Sequence, residues 1–563
     1  MTTVGVLGDG AAVAAIHAAV ADTDAESVAV APSDLSGVDV AAAVGRIDSD
    51  SLGRATAAAR DSRTPLVTVE LGGIGATPVA GVDAAVSGYA PGTACRGCLR
   101  TRVAAADPET GDGGCSASTA RLAGAIAGHE LAALVAGDES ALLGGVVELP
   151  HTRRQVLPVP YCECGAEAGD DTLRTHGTDR SLEDSISLAE AAFDARVGPV
   201  SSVGEAESFP VPYYLATLAD TPFSDADAPD HAAGVGADWD PAFMKALGEA
   251  LERYSAAIYR EAGFVDPERP IPPERFVGPD GFDGDVTRWC EAEHLDTGTA
   301  VQLPAELVVF PPPERTIRPA ITTGLGLGNG GADAIRSGLY EVVERDATML
   351  SWYSTDEPLG LAVDDDGYRT LRRRAGSEGL TATALLCTQD VDVPVVAACV
   401  HRDGEWPRFA AGSSADLDPH AAARGALEEA IQNWLELRRM GEKRADSEGG
   451  AIGTHAAFPE PAREFVSPET TVPAAEVGSA AQSAEGSELD RLVGRVTDAG
   501  LDPYAARLTP RDVESMGFEA VRVVVPSAQP LFTGDPYFGE RARTVPESLG
   551  FEPAPDRTYH PFP

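Results

Sequence analysis

Gly248-Glu249-Ala250-Leu251-Glu252-Arg253 and Tyr340-Glu341-Val342-Val343-Glu344-Arg345 repeat one pattern, E-x-x-E-R, inside apolar helical runs. Their first glutamates stand 92 positions apart (341 less 249). Carboxylates at i and i+3 share a helix face, with Cβ atoms about 5–6 Å apart. Four carboxylates converging from two helices repel one another unless cations sit between them. Hard oxygen ligands of this kind suit Mg2+, which binds through a few carboxylates and substrate phosphates. The repeat therefore predicts two helices facing a Mg–nucleotide site.

Position has to carry that reading, because acidic residues are everywhere. The chain has 88 Asp+Glu against 43 Lys+Arg, a formal charge of -45 over 563 residues. Lysine occurs only at Lys245 and Lys443. Such a profile resembles proteins of organisms that keep molar salt inside the cell, where a Debye length of about 3 Å screens self-repulsion. It argues against nucleic-acid binding, which needs clustered cations. Neither a long apolar run nor a basic segment followed by an apolar core is present, so the expectation is a cytoplasmic protein without a membrane span or secretory signal. The length predicts two or more domains.

The N-terminal part opens on Thr3-Val4-Gly5-Val6-Leu7-Gly8-Asp9-Gly10 and an Ala-rich helical run. Further strands are expected at Ser27–Ala31, Val38–Val44 and Pro65–Glu70, which predicts a parallel α/β sheet. Its turn matches G-x-G-x-x-(small) only leniently, so a Rossmann-like scaffold is preferred to a dinucleotide or ATP site. Cys95-Arg-Gly-Cys98 and Cys162-Glu-Cys164 lie in Pro/Gly-rich loop contexts. Four thiolates make a closed tetrahedral Zn2+ site. A redox C-x-x-C is the alternative, but it would open a helix after a strand and would not need the second pair. Cys115, between the two pairs, reads as a bystander, and Cys290, Cys387 and Cys399 read as packing residues.

A polar stretch, 165–184, is expected to link a domain over 1–170 to a second over 185–563. Within the latter, 442–488 is rich in Ala, Gly, Ser, Pro and Glu and reads as a flexible insertion. The Pro-rich tail, 552–563, ends His560-Pro561-Phe562-Pro563. The helix of Glu341 and Glu344 follows a Gly-rich loop, Thr322–Gly331, which leads to a helix N-terminus suited to anions. Asn329 is a candidate cap for that helix and Asp333 suits its first turn. The G-K-[ST] ending of a Walker A loop is absent. A third helix places Arg424, Glu428 and Gln432 at i, i+4 and i+8 on one face. That spacing fits an exposed ion-pair ladder, or side chains that hold phosphate and metal.

Three acidic helices in this order, with their flanking segments, resemble the YcaO superfamily over roughly 185–563. The resemblance rests on Ala246–Ser255, on Gly328-Asn329 through Asp346, on Asp416-Leu-Asp418 through Gln432, and on Leu508–Val513 and Val523–Leu531. The ending His560–Pro563 is similar to the Pro-rich C-terminus of azoline-forming members. An α/β and α+β chain is implied: a Rossmann-like zinc-bearing domain followed by a YcaO-type ATP-binding domain. The implied activity is ATP-dependent phosphorylation of a peptide backbone amide after attack by a nucleophile. Azoline rings in a ribosomally made peptide are the expected product; thioamide formation with a sulfur-delivery partner is the alternative.

Carried over position by position, Glu249, Glu341, Glu344 and Glu428 become Mg2+ ligands or their neighbours. Glu252, Arg253, Asn329, Asp333, Arg345, Arg424 and Gln432 become nucleotide or supporting contacts, and Pro563 of the tail is implied at the reacting centre. This chain departs from the family at Lys245 and Gly326, where serine is common, at Asp333, where glutamate is usual, and at Gly234-Val235-Gly236, where members often carry G-K-G. Those departures keep a non-catalytic ATP-binding adaptor in view. Pro91–Arg100 with Cys162 and Cys164 resembles a short ThiF-like partner domain, read as a scaffold or activator. Leader binding would then fall to another protein, and a homodimer is possible.

Overall fold

Alternating Val, Gly and Leu in Thr3–Leu7 make the first strand, β1, which Gly8 and Gly10 turn into α1 (Ala11–Val20). There follow β2 (Glu26–Ala29), β3 (Val40–Arg46), α2 (Asp50–Ser62), β4 (Leu66–Leu71), β5 (Ala84–Tyr89), α3 (Arg96–Ala105), α4 (Ala117–Ala136), β6 (Gly145–Leu149) and β7 (Thr152–Gln155). The structure, a computed structural model, describes residues 2–47, 49–150, 152–165, 172–282, 284–448, 450–478 and 486–562.

These strands form one sheet ordered β2-β1-β3-β4-β5-β6-β7. The expected parallel pairing holds from β2 to β4. From β4 to β7 the pairing is antiparallel. No helix separates β4 from β5, so the chain reverses direction there and does not make the helical crossover that usually joins parallel neighbours.

The rest of the chain contains α5 (Leu182–Ala189), β8 (Val200–Glu207), β9 (Tyr213–Leu218), β10 (His231–Val235), α6 (Trp239–Ala257), β11 (Trp289–His294), β12 (Ala300–Pro304), β13 (Leu325–Gly328) and α7 (Gly331–Trp352). Then come β14 (Leu359–Ala362), α8 (Asp366–Ser377), β15 (Thr381–Leu386), β16 (Val395–His401), β17 (Phe409–Ala415), α9 (Pro419–Met440), α10 (Glu442–Glu448), α11 (Gly450–His455), α12 (Glu460–Phe465) and β18 (Thr471–Pro473). α13 (Glu488–Asp498), β19 (Tyr504–Arg507), α14 (Arg511–Ser515), β20 (Glu519–Val524) and α15 (Arg541–Leu549) complete it. Three more sheets result: β10-β9-β8, β12-β11-β19-β20-β13 and β17-β16-β15-β14-β18.

Helix α7 is the central element. Leu339, Val343 and Trp352 pack against Cys399 and Phe409 on one side and Val521 and Val523 on the other. Helix α9 lays Ala426, Ala430 and Trp434 against Val396, Val400 and Tyr213. Helix α6 faces the N-terminal unit, with Leu247, Leu251 and Tyr254 packed on Leu99 and Val103 of α3. The described part of 442–488 is folded: it supplies α10, α11, α12 and β18, and Phe458, Ala462 and Phe465 are buried in the core. No helix of the described residues is long and apolar enough to cross a membrane.

Candidate active site

Helices α6, α7 and α9 each follow a strand through a short turn, β10, β13 and β17 respectively. In each unit a glutamate reaches back to the backbone of its own strand segment. Glu249 accepts from Ala233 N at 2.8 Å, Glu341 from Gly324 N at 2.9 Å and Glu429 from Ser413 N at 2.6 Å. The sequence separations are 16, 17 and 16. The E-x-x-E-R pair thus has a third, divergent copy, Glu429-Ala430-Ile431-Gln432-Asn433. Sequence reasoning missed Glu429 because the helical ladder Arg424–Glu428–Gln432 drew attention one residue away. A search for E-x-x followed by two hydrogen-bonding residues, downstream of a Gly-containing strand, finds it.

The three units meet. Glu344 accepts from Ser413 Oγ of β17 at 2.6 Å. Arg345 lies 3.4 Å from Glu344 and 3.6 Å from Glu429. Burial, reinforced by the charges of Glu341 and Glu249, pushes the Glu252 carboxyl up to about 8. Burial also pushes Glu344 up to about 7, against the pull of Arg345, with Glu429 adding to the rise. Glu249 and Glu429 move up for the same first reason, burial. The Arg345 pKa is raised as well, but in favour of its charged form: although burial opposes that charge, Glu344, Glu429 and Glu341 raise it. So much desolvated negative charge calls for a cation, and oxygen-only donors fit Mg2+. Unlike the thiols described below, these carboxylates do not bring three ligand atoms within 4.8 Å of one another.

The other predicted residues hold protein partners. Arg253 pairs with Glu249 and donates to His231 O at 2.9 Å. Glu428 is ion-paired with Lys245 across α6 and α9. Arg424 binds Asp365 at 2.8 Å, and Asp333 lies 3.2 Å from Arg336. Gln432 donates to Glu436 at 3.1 Å, a carboxylate that also receives Tyr213 OH at 3.2 Å. Asn329 does not cap α7: Gly330 is the N-cap, and Asn329 Oδ1 instead accepts from Ser185 Oγ at 2.9 Å and Arg180 Nη1 at 3.3 Å. The expected linker crosses this helix start, where Ala332 N donates to His176 O at 3.3 Å. A Cβ on Gly331 would fall 1.6 Å from Arg174 O, so only glycine admits that crossing. Gly326 is explained in the same way: a Cβ there would lie 2.1 Å from Ala334 O, which excludes the serine common in the family.

The C-terminal tail ends beside this cluster. Trp352 Nε1 donates to Thr558 O at 2.7 Å, and His560 and Phe562 are buried. His560 is close enough to Arg345 to feel its charge. Pro563 lies outside the described residues.

The cysteine pairs converge as expected. Sγ atoms of Cys95 and Cys98 are 3.8 Å apart, those of Cys95 and Cys162 3.5 Å, and those of Cys98 and Cys164 3.5 Å. Four thiolates about 2.3 Å from a tetrahedral Zn2+ stand about 3.8 Å from one another. Among the described residues this is the one group of three or more such ligand atoms packed within 4.8 Å. Val159 N and Arg511 Nη1 donate to Cys98 and Cys164, each at 3.3 Å. A cleft of about 1160 Å³ opens beside Cys95 and Cys164, lined also by Tyr161, Val308 and Leu508. It does not include the acidic cluster. Nearby, the buried Arg102 of α3 pairs with Asp512 of α14 and donates to Tyr254 OH of α6 at 3.3 Å.

Helices that converge acidic residues beside backbone-anchored strands make an oxygen-rich cluster, the candidate site of this fold. A family model described as YcaO cyclodehydratase, ATP- and Mg2+-binding, matches residues 233–529, and the chain belongs to this family. An uncharacterized protein of Methanothermobacter thermautotrophicus is 30% identical over 334 residues, 55% of this chain and 85% of that protein. An uncharacterized protein in the tfuA 3′ region of Rhizobium leguminosarum bv. trifolii is 29% identical over 178 residues, 28% of this chain and 41% of its own length. Among solved structures, a heterocyclase in complex with substrate and cofactor superimposes with a TM-score of 0.69 at 19% identity, covering 98% of this chain and 83% of its own. The heterocyclase TruD gives 0.64 at 18% identity, covering 98% and 82%. At these identities the likeness is one of fold.

Proposed function

We propose that this protein activates peptide backbone amides by ATP-dependent phosphorylation and so forms azoline rings in a ribosomally made peptide. The observation that carries the reading is the convergence of Glu249 and Glu252, Glu341 and Glu344, and Glu429 from three helices, with Arg345 set against Glu344 and Glu429. Glu249, Glu341, Glu344 and Glu428 would hold Mg2+. Glu252, Arg253, Asn329, Asp333, Arg345, Arg424 and Gln432 would contact the nucleotide or support those that do. When bound, Mg2+ neutralises charge on the transferring phosphoryl group.

A Cys, Ser or Thr side chain of the peptide adds to the preceding amide carbonyl. The amide-derived oxygen takes the terminal phosphoryl group of ATP, and ADP departs. Phosphate then leaves with that oxygen as the C=N bond closes, for a net loss of one water from the peptide. Arg345 faces the transferring charge, and the tail ending at Pro563 sits at the reacting centre. With sulfide as nucleophile the same steps give a thioamide, with a sulfur-delivery protein as partner. Cys95, Cys98, Cys162 and Cys164 hold structural Zn2+ in a Rossmann-like, ThiF-like scaffold domain, 1–170, that steadies the YcaO domain, 185–563. A leader-binding protein and a homodimer belong to the same proposal, as does a cytoplasmic, halophilic setting.

The test is mass spectrometry of peptides encoded beside the gene after incubation with ATP and Mg2+. Loss of water marks a ring, and exchange of oxygen for sulfur marks a thioamide. E344A and E249A should abolish phosphate release. ATP binding without phosphate release from any peptide would leave an ATP-binding adaptor.

A further inference from the structure

The cleft of about 1160 Å³ beside the cysteine cluster takes no part in the steps above. Its walls come from the end of α2, the approach to α3, the loop at 160–165, the segment after α6, and strands β11 and β19. Pairing of β11 with β19 runs through His294↔Tyr504 and Glu293↔Ala505 and stops there. Yet β11 begins at Trp289 and β19 continues to Arg507. The cleft opens between the parted ends, with Cys290 and Glu291 on one and Ala506 and Leu508 on the other. On their far sides both strands stay paired, β11 with β12 as far as Trp289 and β19 with β20 as far as Arg507. Val265 bridges Trp289 and so bounds the gap. Strands paired on one side only can take an extended segment along the other.

Charge is inverted at this cleft. The chain holds 88 acidic residues against 43 basic ones, whereas six arginines and three glutamates line the cleft. Arg96, Arg260 and Arg507 are held by Glu70, Asp225 and Glu519, and Arg511 donates to Cys164. The surplus falls on Arg60 and Arg63, at the end of α2. Arg60 lies 3.7 Å from Glu163, both side chains being exposed, and the exposed Arg63 has no ion pair among the described residues.

Backbone strain gathers at the same place. Arg63 and Tyr161 line the cleft at φ 58° and 61°. Bulky residues rarely adopt that conformation, and such strain clusters at ligand clamps. Tyr161 is 56% exposed; its OH donates to Ile258 O at 3.3 Å, and the Arg260 guanidinium stands 5.7 Å from its ring centre. Ile258, Val308 and Leu508 supply an apolar floor. Tyrosine and arginine over apolar surface are the usual anchors of a protein-binding patch.

We propose that this cleft docks an acidic, extended segment of the peptide substrate, away from the amide that reacts. The segment adds to the sheet between β11 and β19, sets carboxylates against Arg60 and Arg63, and packs an apolar side chain on Tyr161. Ile258 follows α6, and Glu252 lies about 9 Å back along that helix, so the cleft adjoins the element that carries the acidic site. That the docked peptide is a substrate rests on the function proposed above. The docking itself rests on the parted strands, the strained anchors and the charge.

A fluorescein-labelled decapeptide of alternating Glu and Val is titrated by anisotropy into the full-length wild type, R63G and Y161G. A Lys/Val decapeptide and a Glu/Val decapeptide N-methylated at alternate residues are the controls. Glycine suits a positive φ, so both variants keep the backbone. The Glu/Val peptide should bind the wild type about tenfold more tightly than either control, and each variant should weaken it about tenfold. Unlabelled peptide encoded beside the gene should displace it. No binding of the Glu/Val peptide, equal binding of the three decapeptides, or unchanged affinity in both variants overturns the docking site. Docking through Arg63 and Tyr161, with no encoded peptide losing water or exchanging oxygen for sulfur, keeps the cleft and removes the proposed function. Conversion of an encoded peptide that fails to displace the decapeptide keeps the function and overturns the docking of substrate.

Discussion

Glu428 and Glu429 are adjacent in sequence and opposite in environment. Glu429 faces inward, accepts from Ser413 N and meets Arg345. Glu428 faces Lys245, whose side chain is 52% exposed. Replacing Glu429 by alanine leaves a strand N–H and a guanidinium short of a partner. E429A should therefore lose about 1–2 kcal/mol in urea unfolding, whereas E428A should shift stability little. Lys245 occupies a carboxylate proposed to bind Mg2+. Calorimetry of K245S with Mg2+ and no nucleotide should show tighter binding than wild type; equal binding would mean that the ion pair does not compete.

At the scale of elements, the tail is a strap held by its own residues. His455 Nε2 lies 2.5 Å from Tyr559 O, His560 Nε2 lies 2.9 Å from Phe532 O, and Tyr559 OH donates to Phe532 O at 2.6 Å. Burial holds the His560 imidazole down at about 4, below its ordinary 6.5. A histidine with a depressed folded pKa contributes stability that is complete above the unfolded value. That contribution drains away as pH falls from 6.5 towards 4. It amounts to about 3 kcal/mol for this shift. H560Q should flatten the stability difference between pH 6.5 and pH 4, measured by denaturant unfolding at each pH. Parallel pH curves for variant and wild type would place the acid sensitivity elsewhere.

For the whole molecule, the N-terminal unit packs on α6, the helix that carries Glu249 and Glu252. Arg102, Tyr254 and Asp512 join α3, α6 and α14 in one buried network, and Arg511 binds a cluster thiol. If those thiols hold Zn2+, chelation should release about one ion per chain. Amide exchange should then accelerate in α3 and in α6 near Tyr254, about one and a half turns from Glu249. Release of zinc with unchanged exchange in α6 would sever that link.

Much of this was readable from local spacing. The two E-x-x-E-R helices, the two cysteine pairs and the first four strands follow from periodicity, turn residues and side-chain chemistry, all set within a few residues. What spacing does not reach is the pairing of distant elements. The antiparallel half of the first sheet begins where β4 runs into β5 with no helix between them. The folding of the described part of 442–488 depends on Phe458 and Phe465 finding a core made elsewhere. The sequence by itself determined that carboxylates and arginines would line particular helix faces. Only the tertiary structure decided that Glu429 completes the threefold set and that Lys245 holds Glu428. Each of those depends on helix-to-strand register and packing across distant parts of the chain, which residue order leaves open.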